Sequence, residues 1–146
     1  MSEEPQAHQL VVFALAGEQY ALPIERVREI IRYVQPRPVA SDADWVRGVI
    51  SLRGRIIPVY DLAAHLGLTH DAGNESNIAI LDSGVDTAGV IVDDVEEVLT
   101  LQHEQLECVP SADSAVIDSI AKIGDRLVVL LNPSAIFAPA TELSGS

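Results

Sequence analysis

Residues 48–62 read Gly48-Val49-Ile50-Ser51-Leu52-Arg53-Gly54-Arg55-Ile56-Ile57-Pro58-Val59-Tyr60-Asp61-Leu62, and this run decides the fold class. Gly48 to Leu52 is largely apolar, Arg53-Gly54 interrupts it, and Ile56 to Tyr60 resumes. Val and Ile branch at Cβ, which stiffens the side chain and suits a pleated surface. Two such runs flanking a pair that ends in glycine predict a β-hairpin, with Gly54 taking the positive φ of the turn. Asp61 then stands as the N-cap of a short helix through Leu66, with Gly67 past its end.

The same pattern extends outward. Leu10 to Ala16 is apolar throughout, as expected of a strand buried on both faces, and Gly17-Glu18 turns it into Gln19 to Leu22. Beyond Pro23, the residues Ile24, Val27, Ile30 and Ile31 recur at near-helical spacing, which predicts a short amphipathic turn or helix ending before Pro36. Gln35 to Pro38 is restrained by two prolines and reads as extended. Asn77–Leu81 and Ala88–Val92 form a second predicted hairpin, Val95–Leu101 a further strand, and Ser119–Ile123 with Arg126–Leu131 a third hairpin around Gly124-Asp125. Asn132 caps a last short helix with Pro133 at its first position. Roughly nine or ten short strands joined by tight turns point to small closed barrels rather than a parallel sheet. Gly48-Val49-Ile50 recurs as Gly89-Val90-Ile91, and Leu10-Val11-Val12 as Leu127-Val128-Val129, a weak sign of duplication.

The 146 residues fit one domain, and 48% hydrophobic against 21% charged residues excludes a disordered chain. Leu10–Ala16, the longest apolar stretch, falls far short of the roughly 20 residues that cross a bilayer. The acidic start, Met1-Ser2-Glu3-Glu4-Pro5, is unlike a secretory signal, so a cytoplasmic protein is expected. Residues 1–8 and 138–146 read as tails around one domain at 9–137, and Thr69 to Ser76 as a polar loop between two halves. Cys108 is the only cysteine, which excludes an internal disulfide and a cysteine zinc cage.

The net charge of −13 disfavours nucleic acid and anionic membrane. Its distribution is uneven. Residues 24–60 hold Arg26, Arg28, Arg32, Arg37, Arg47, Arg53 and Arg55 against four acids, a net +3, whereas residues 61–146 carry −13. Either these arginines pair with acids that folding brings near, or they form a docking face whose guanidinium forks meet carboxylates on a protein partner.

No catalytic constellation stands out. Asp61 and His65, four apart on a predicted helix, suit either a metal pair or, better, a solvated helix face. Asp93-Asp94 and Glu96-Glu97 alternate faces in a strand and read as a solvated edge that discourages stray pairing. His8, His70 and His103 have no neighbouring nucleophile, and Cys108 has no adjacent cation to activate it. No glycine-rich phosphate loop is present. Trp45 and Tyr60 are either interface anchors or, better, core residues.

Tyr20-Ala21-Leu22-Pro23-Ile24 followed by Val27-Arg28-Glu29-Ile30, the whole run Gly48–Leu62, Gly89-Val90-Ile91-Val92-Asp93-Asp94-Val95, and Gly124-Asp125-Arg126-Leu127 resemble, in order, the blocks of the CheW-like domain family. The resemblance spans about residues 9–137. It implies an all-β fold with a few short helices: two intertwined five-stranded SH3-like barrels sharing a hydrophobic core. It further implies a non-catalytic adaptor of bacterial chemosensory signalling. The implied partners are the cytoplasmic tip of a chemoreceptor and the regulatory domain of the histidine kinase CheA. Neither cofactor, nucleic acid nor direct membrane insertion is implied, and the implied location is cytoplasmic, at receptor arrays on the inner face of the membrane. The length leaves no room for a kinase catalytic or receiver domain.

Carried over by motif, the receptor-contact positions are Val27, Glu29, Ile30, Gly48 and Arg53. Val27 and Ile30 offer either an apolar strip to a receptor helix hairpin or core packing. Gly48 serves either a close backbone approach or a bulge. Arg53 either forks onto a partner's carboxylate or makes an internal salt bridge that orders its turn. One departure from the family is Ser41-Asp42-Ala43-Asp44-Trp45, where a proline commonly precedes the segment entering Gly48. Two competing readings are a same-fold adaptor of a non-flagellar pathway, such as motility by pili, and a small ligand-binding barrel with a concave polar pocket.

Overall fold

A computed structural model describes residues 7–40, 45–68, 76–83, 85–102, 106–108 and 117–137. The strands are β1 (Ala7–Leu15), β2 (Glu18–Pro23), β3 (Val27–Arg32), β4 (Val46–Leu52), β5 (Arg55–Asp61), β6 (Asn77–Asp82), β7 (Thr87–Val92), β8 (Asp94–Gln102), β9 (Leu106–Cys108), β10 (Ile117–Ile123) and β11 (Arg126–Leu131). Two one-turn helices, α1 (Leu62–His65) and α2 (Pro133–Ile136), and a 3-10 turn at Ile24–Arg26 complete the described elements. The first sheet runs β8-β1-β2-β11-β10-β9 and the second β3-β6-β7-β5-β4. The second sheet is therefore inserted between β2 and β8 of the first.

Chain connectivity closes both sheets. β8 and β9 are opposite edges of the first sheet. In a flat six-stranded sheet those edges would lie about 24 Å apart, at about 4.8 Å per strand. The four Cα steps from Gln102 to Leu106 reach only about 15 Å, so the sheet curls until its edges are neighbours. In the second sheet, the segment after β3 crosses to the far edge, where Arg37 N–H donates to Val49 O at 2.8 Å and Val49 N–H to Arg37 O at 2.9 Å. Two barrels result, as the resemblance implies. β9 is a short sixth piece of the first barrel that the sequence pattern did not reveal.

Alternation along each strand explains why the strands read as unbroken apolar runs. Leu10 and Val12 of β1, with Ala21, Leu101, Ala121, Val128 and Leu130, fill the first barrel. Ile50, Ile57, Val59, Ile78, Ile80 and Ile91 fill the second. The intervening residues face the other barrel: Phe13, Leu15, Tyr20 and Leu22 pack with Tyr60, Ala79, Leu81, Ala88, Val90 and Val92 in a third, shared core. Each central strand thus buries one face inside its own barrel and the other between the barrels.

The turns follow their chemistry. Arg53 and Gly54 have φ of 52° and 79°, and Ala16 and Gly17 have 53° and 84°. Positive φ at both central residues is the signature of the type I′ turn, whose twist matches that of the strands it joins. The left-handed position expected of Gly54 is therefore shared by Arg53. Asp61 caps α1 by accepting from Ala64 N–H at 3.2 Å, and Asn132 caps α2 by accepting from Ser134 N–H at 3.1 Å, both as expected.

One expectation is overturned. The helical spacing of Val27, Ile30 and Ile31 belongs to a strand: β3 pairs antiparallel with β6, with a bulge between Val27 and Glu29. The repeats also fail to mark the barrels. Gly48 and Gly89 both lie in the second sheet, and Leu10 and Leu127 both in the first, so neither pair relates one barrel to the other. β1 begins at Ala7; the remaining tail residues and most of the Thr69–Ser76 loop lie outside the described residues.

Candidate functional site

All five strands of the second barrel contribute to a groove of about 280 Å³ at one of its ends. Its floor is apolar: Leu52 from β4, Ile57 from β5 and Ile80 from β6, the last two 3% and 1% exposed. Its rim is charged, with Arg28 and Glu29 from β3, Arg53 from the β4–β5 turn and Arg55 from the start of β5.

Arg53 and Glu29 form one unit on this rim. Arg53 Nη2 donates to Glu29 Oε1 at 2.9 Å, and Nη1 donates to Oε2, giving the two-pronged geometry that suits guanidinium to carboxylate. The type I′ turn aims Arg53 across the barrel mouth, and β3, beyond its bulge, presents Glu29 on the same face as Ile31, which packs inside the second barrel. The Arg53 hydrogen bond holds the Glu29 carboxyl below its ordinary value of 4.5, assisted by the nearby charges of Arg53 and Arg28. The same contact raises the guanidinium of Arg53. Arg28 reaches Asp82 at 3.5 Å. Arg55 makes no ion pair among the described residues.

The other carried-over positions diverge. Ile30 lies on the outer face of β3 with 39% of its surface exposed. Val27 is half-buried and packs against the shared core. Gly48 is buried five residues before Arg53, at φ 141°, and a Cβ there would stand 2.1 Å from Arg37 O. The close backbone approach expected at Gly48 exists, and the approaching backbone is the chain's own. A bulge between Val46 and Gly48 accompanies it. Of the arginine window, Arg28, Arg47 and Arg53 have acidic partners brought near by folding, and Arg28, Arg53 and Arg55 lie on the groove rim.

The opposite end of the barrel is structural. Arg47 donates to Asp61 Oδ2 from Nη2 at 2.7 Å and from Nε at 3.1 Å, so the 2%-exposed Asp61 is both cap and ion-pair acceptor. Trp45 stacks on His65 at 4.1 Å and meets Tyr60 edge-on at 5.2 Å. Asp61 and His65 therefore form neither a metal pair nor a solvated helix face; His65 Nε2 is buried without a hydrogen bond. No cluster of metal ligands occurs among the described residues, and no helix there is long and apolar enough to cross a membrane. On the first barrel, the acidic stretch at the entry to edge strand β8 is tied down: Asp93, just before the strand, accepts from Ala16 N–H at 3.0 Å, and within it Glu96 accepts from Gln19 at 2.6 Å and Glu97 from Arg126 at 2.7 Å. Sequence reasoning did not single out Arg28 and Arg55 as rim residues; the arginine-rich window was the available signal.

Comparisons with known proteins agree with this architecture. The chain is 30% identical over 141 residues to a chemotaxis protein CheW of Klebsiella aerogenes, covering 90% of this chain and 82% of that protein. It is 30% identical over 132 residues to the chemotaxis protein CheW of Bacillus subtilis, covering 87% and 85%. A protein PilI of Pseudomonas aeruginosa is 29% identical over 92 residues, 62% of this chain and half of that protein. Among solved structures, the scaffolding protein TtCheW from Thermoanaerobacter tengcongensis superposes with a TM-score of 0.79 at 33% identity, covering 86% of this chain and 88% of that one. The family model for the CheW-like domain matches residues 9–140, taking in both barrels, the groove and the forked pair, and the chain belongs to that family.

Proposed function

We propose that this protein is a non-catalytic scaffold of chemosensory signalling that holds the cytoplasmic tip of a chemoreceptor and the regulatory domain of the histidine kinase CheA at the same time. The observation that carries the reading is the likeness, over most of the chain, to a scaffolding protein of the same twin-barrel architecture. The chemotaxis relatives match along more than four-fifths of their length and the PilI relative along half, which favours the chemotaxis role over a non-flagellar one. The protein acts in the cytoplasm, at receptor arrays against the inner membrane face. Two rigid barrels offer two preformed surfaces, and a lattice of weak contacts gains strength by multivalency.

Val27, Glu29, Ile30, Gly48 and Arg53 mark the receptor-facing side, with Glu29 and Arg53 acting as one unit and exposed Ile30 as the apolar contact. The test is a three-component mixture of this protein, a receptor cytoplasmic fragment and the CheA regulatory domain, analysed by size exclusion. All three are expected to co-elute, and Ile30→Asp is expected to lose the receptor fragment while keeping the kinase domain. Binding of neither partner, or of one at the expense of the other, overturns the scaffold role.

A further inference from the structure

We infer that Arg55, rather than Arg53, is the cation through which the groove of the second barrel recognises an acidic segment of the receptor tip, a step that rests on the scaffold role proposed above. The forked contact from Arg53 to Glu29 uses both carboxylate oxygens and two guanidinium nitrogens. That pair is locally neutral and holds the turn to β3. Arg28 is engaged more loosely, at 3.5 Å from Asp82. Arg55 has no acidic partner among the described residues. It is exposed, and its backbone is fixed by pairing with Leu52 across the hairpin.

The surroundings define what Arg55 meets. Leu52, Ile57 and Ile80 form an apolar floor beside it, so the fitting occupant carries a carboxylate next to an apolar side chain. The carboxylate takes the free fork of Arg55, and the apolar side chain packs on half-buried Leu52 at the groove floor. In a chain of net charge −13, a rim bearing three guanidiniums and one carboxylate is a local positive field that favours an acidic protein segment. A nucleic acid backbone is a poorer fit, because phosphate tracking needs several uncommitted cations in a row. A metabolite is a poorer fit because the groove is open to solvent, whereas small-molecule sites enclose most of their ligand.

The test is calorimetric titration of the receptor cytoplasmic fragment into the full chain at low and at high salt, with the CheA regulatory domain titrated in parallel. Arg55→Glu is expected to weaken receptor binding by at least about tenfold and to flatten its salt dependence. Arg55→Gln should fall between, and it keeps the test open if the charge reversal perturbs folding. Kinase-domain binding should be unchanged in both variants. Receptor binding by Arg55→Gln and Arg55→Glu at the unmodified affinity and salt dependence overturns the assignment, as does loss of the kinase domain instead of the receptor. If the unmodified chain binds neither fragment, the scaffold role itself fails, which separates the two outcomes.

Discussion

Arg53 and Glu29, 24 residues apart in sequence, close the mouth of the second barrel with a forked ion pair. The pair is exposed on one side, the Arg53 side chain keeping 69% of its surface and that of Glu29 30%. Its contribution therefore depends on pH and is screened by salt. The folded-state pKa of Glu29 lies below its ordinary 4.5. Between those two values the unfolded chain binds more protons than the folded one, so stability falls as pH falls through the window. Glu29→Gln is expected to lower the denaturation midpoint at neutral pH and to match the unmodified protein once the pH drops below the depressed value. Urea midpoints measured across the acid range check this; a constant difference at every pH would rule it out.

Gly48 carries the strap that closes the same barrel. A methyl group there meets the Arg37 carbonyl carbon at 2.6 Å as well as its oxygen, and φ of 141° is itself strained for a side chain. Gly48→Ala is expected to destabilise the fold by about 2 kcal/mol or more. It should also speed hydrogen exchange of the Arg37 and Val49 amides, which bond each other's carbonyls. Gly54→Ala, where φ is positive but nothing lies within 4 Å, should cost only about 1 kcal/mol, which separates crowding from backbone strain.

The core between the barrels predicts one cooperative transition. Leu81 is fully buried there, with Phe13, Leu15 and Leu22 from the first barrel in the same cluster. Leu81→Ala is expected to cost about 2–5 kcal/mol and to lower the stability of both barrels together. Calorimetric and van't Hoff enthalpies should agree in the variant as in the unmodified protein. Two resolved transitions would show that the barrels fold independently.

Asp61 serves two acceptor roles at once. Asp61→Ala removes the cap of α1 and is expected to cost about 1 kcal/mol or more, while Asp61→Asn keeps an oxygen for Ala64 N–H and loses only the charge facing Arg47. The asparagine variant should melt between the unmodified protein and the alanine variant. Equal melting temperatures for the two variants would place the whole effect in the ion pair.

Much of this was legible in the residues. The hairpins announced themselves through paired apolar runs and glycine turns, and the helix caps through Asp61 and Asn132. Strand β3 did not, for a physical reason: Glu29 turns toward the groove and Ile30 toward solvent, the inverse of the usual polarity, so the six residues mimic helical spacing. That inversion is itself the mark of the site, since Glu29 faces inward to take Arg53. β9 is three residues long, too short for alternation to show. The Trp45–His65 stack and the Arg47–Asp61 pair join residues whose proximity only the folded hairpin and helix create.

The insertion of one barrel within the other orders events during synthesis. β1 pairs with β8, whose residues lie 80 to 95 positions further along the chain. At a translation rate of roughly 5–20 residues per second, β1 waits roughly 4–19 s for that partner. The β1–β2 hairpin is marginal alone, and it exposes Leu10 to Leu15 throughout the wait. All five strands of the second barrel have left the ribosome by Val92, before β8 begins at Asp94. The inserted barrel is therefore complete first, and its Ala79, Leu81 and Val90 give Phe13, Leu15 and Leu22 a surface to land on before their own barrel exists.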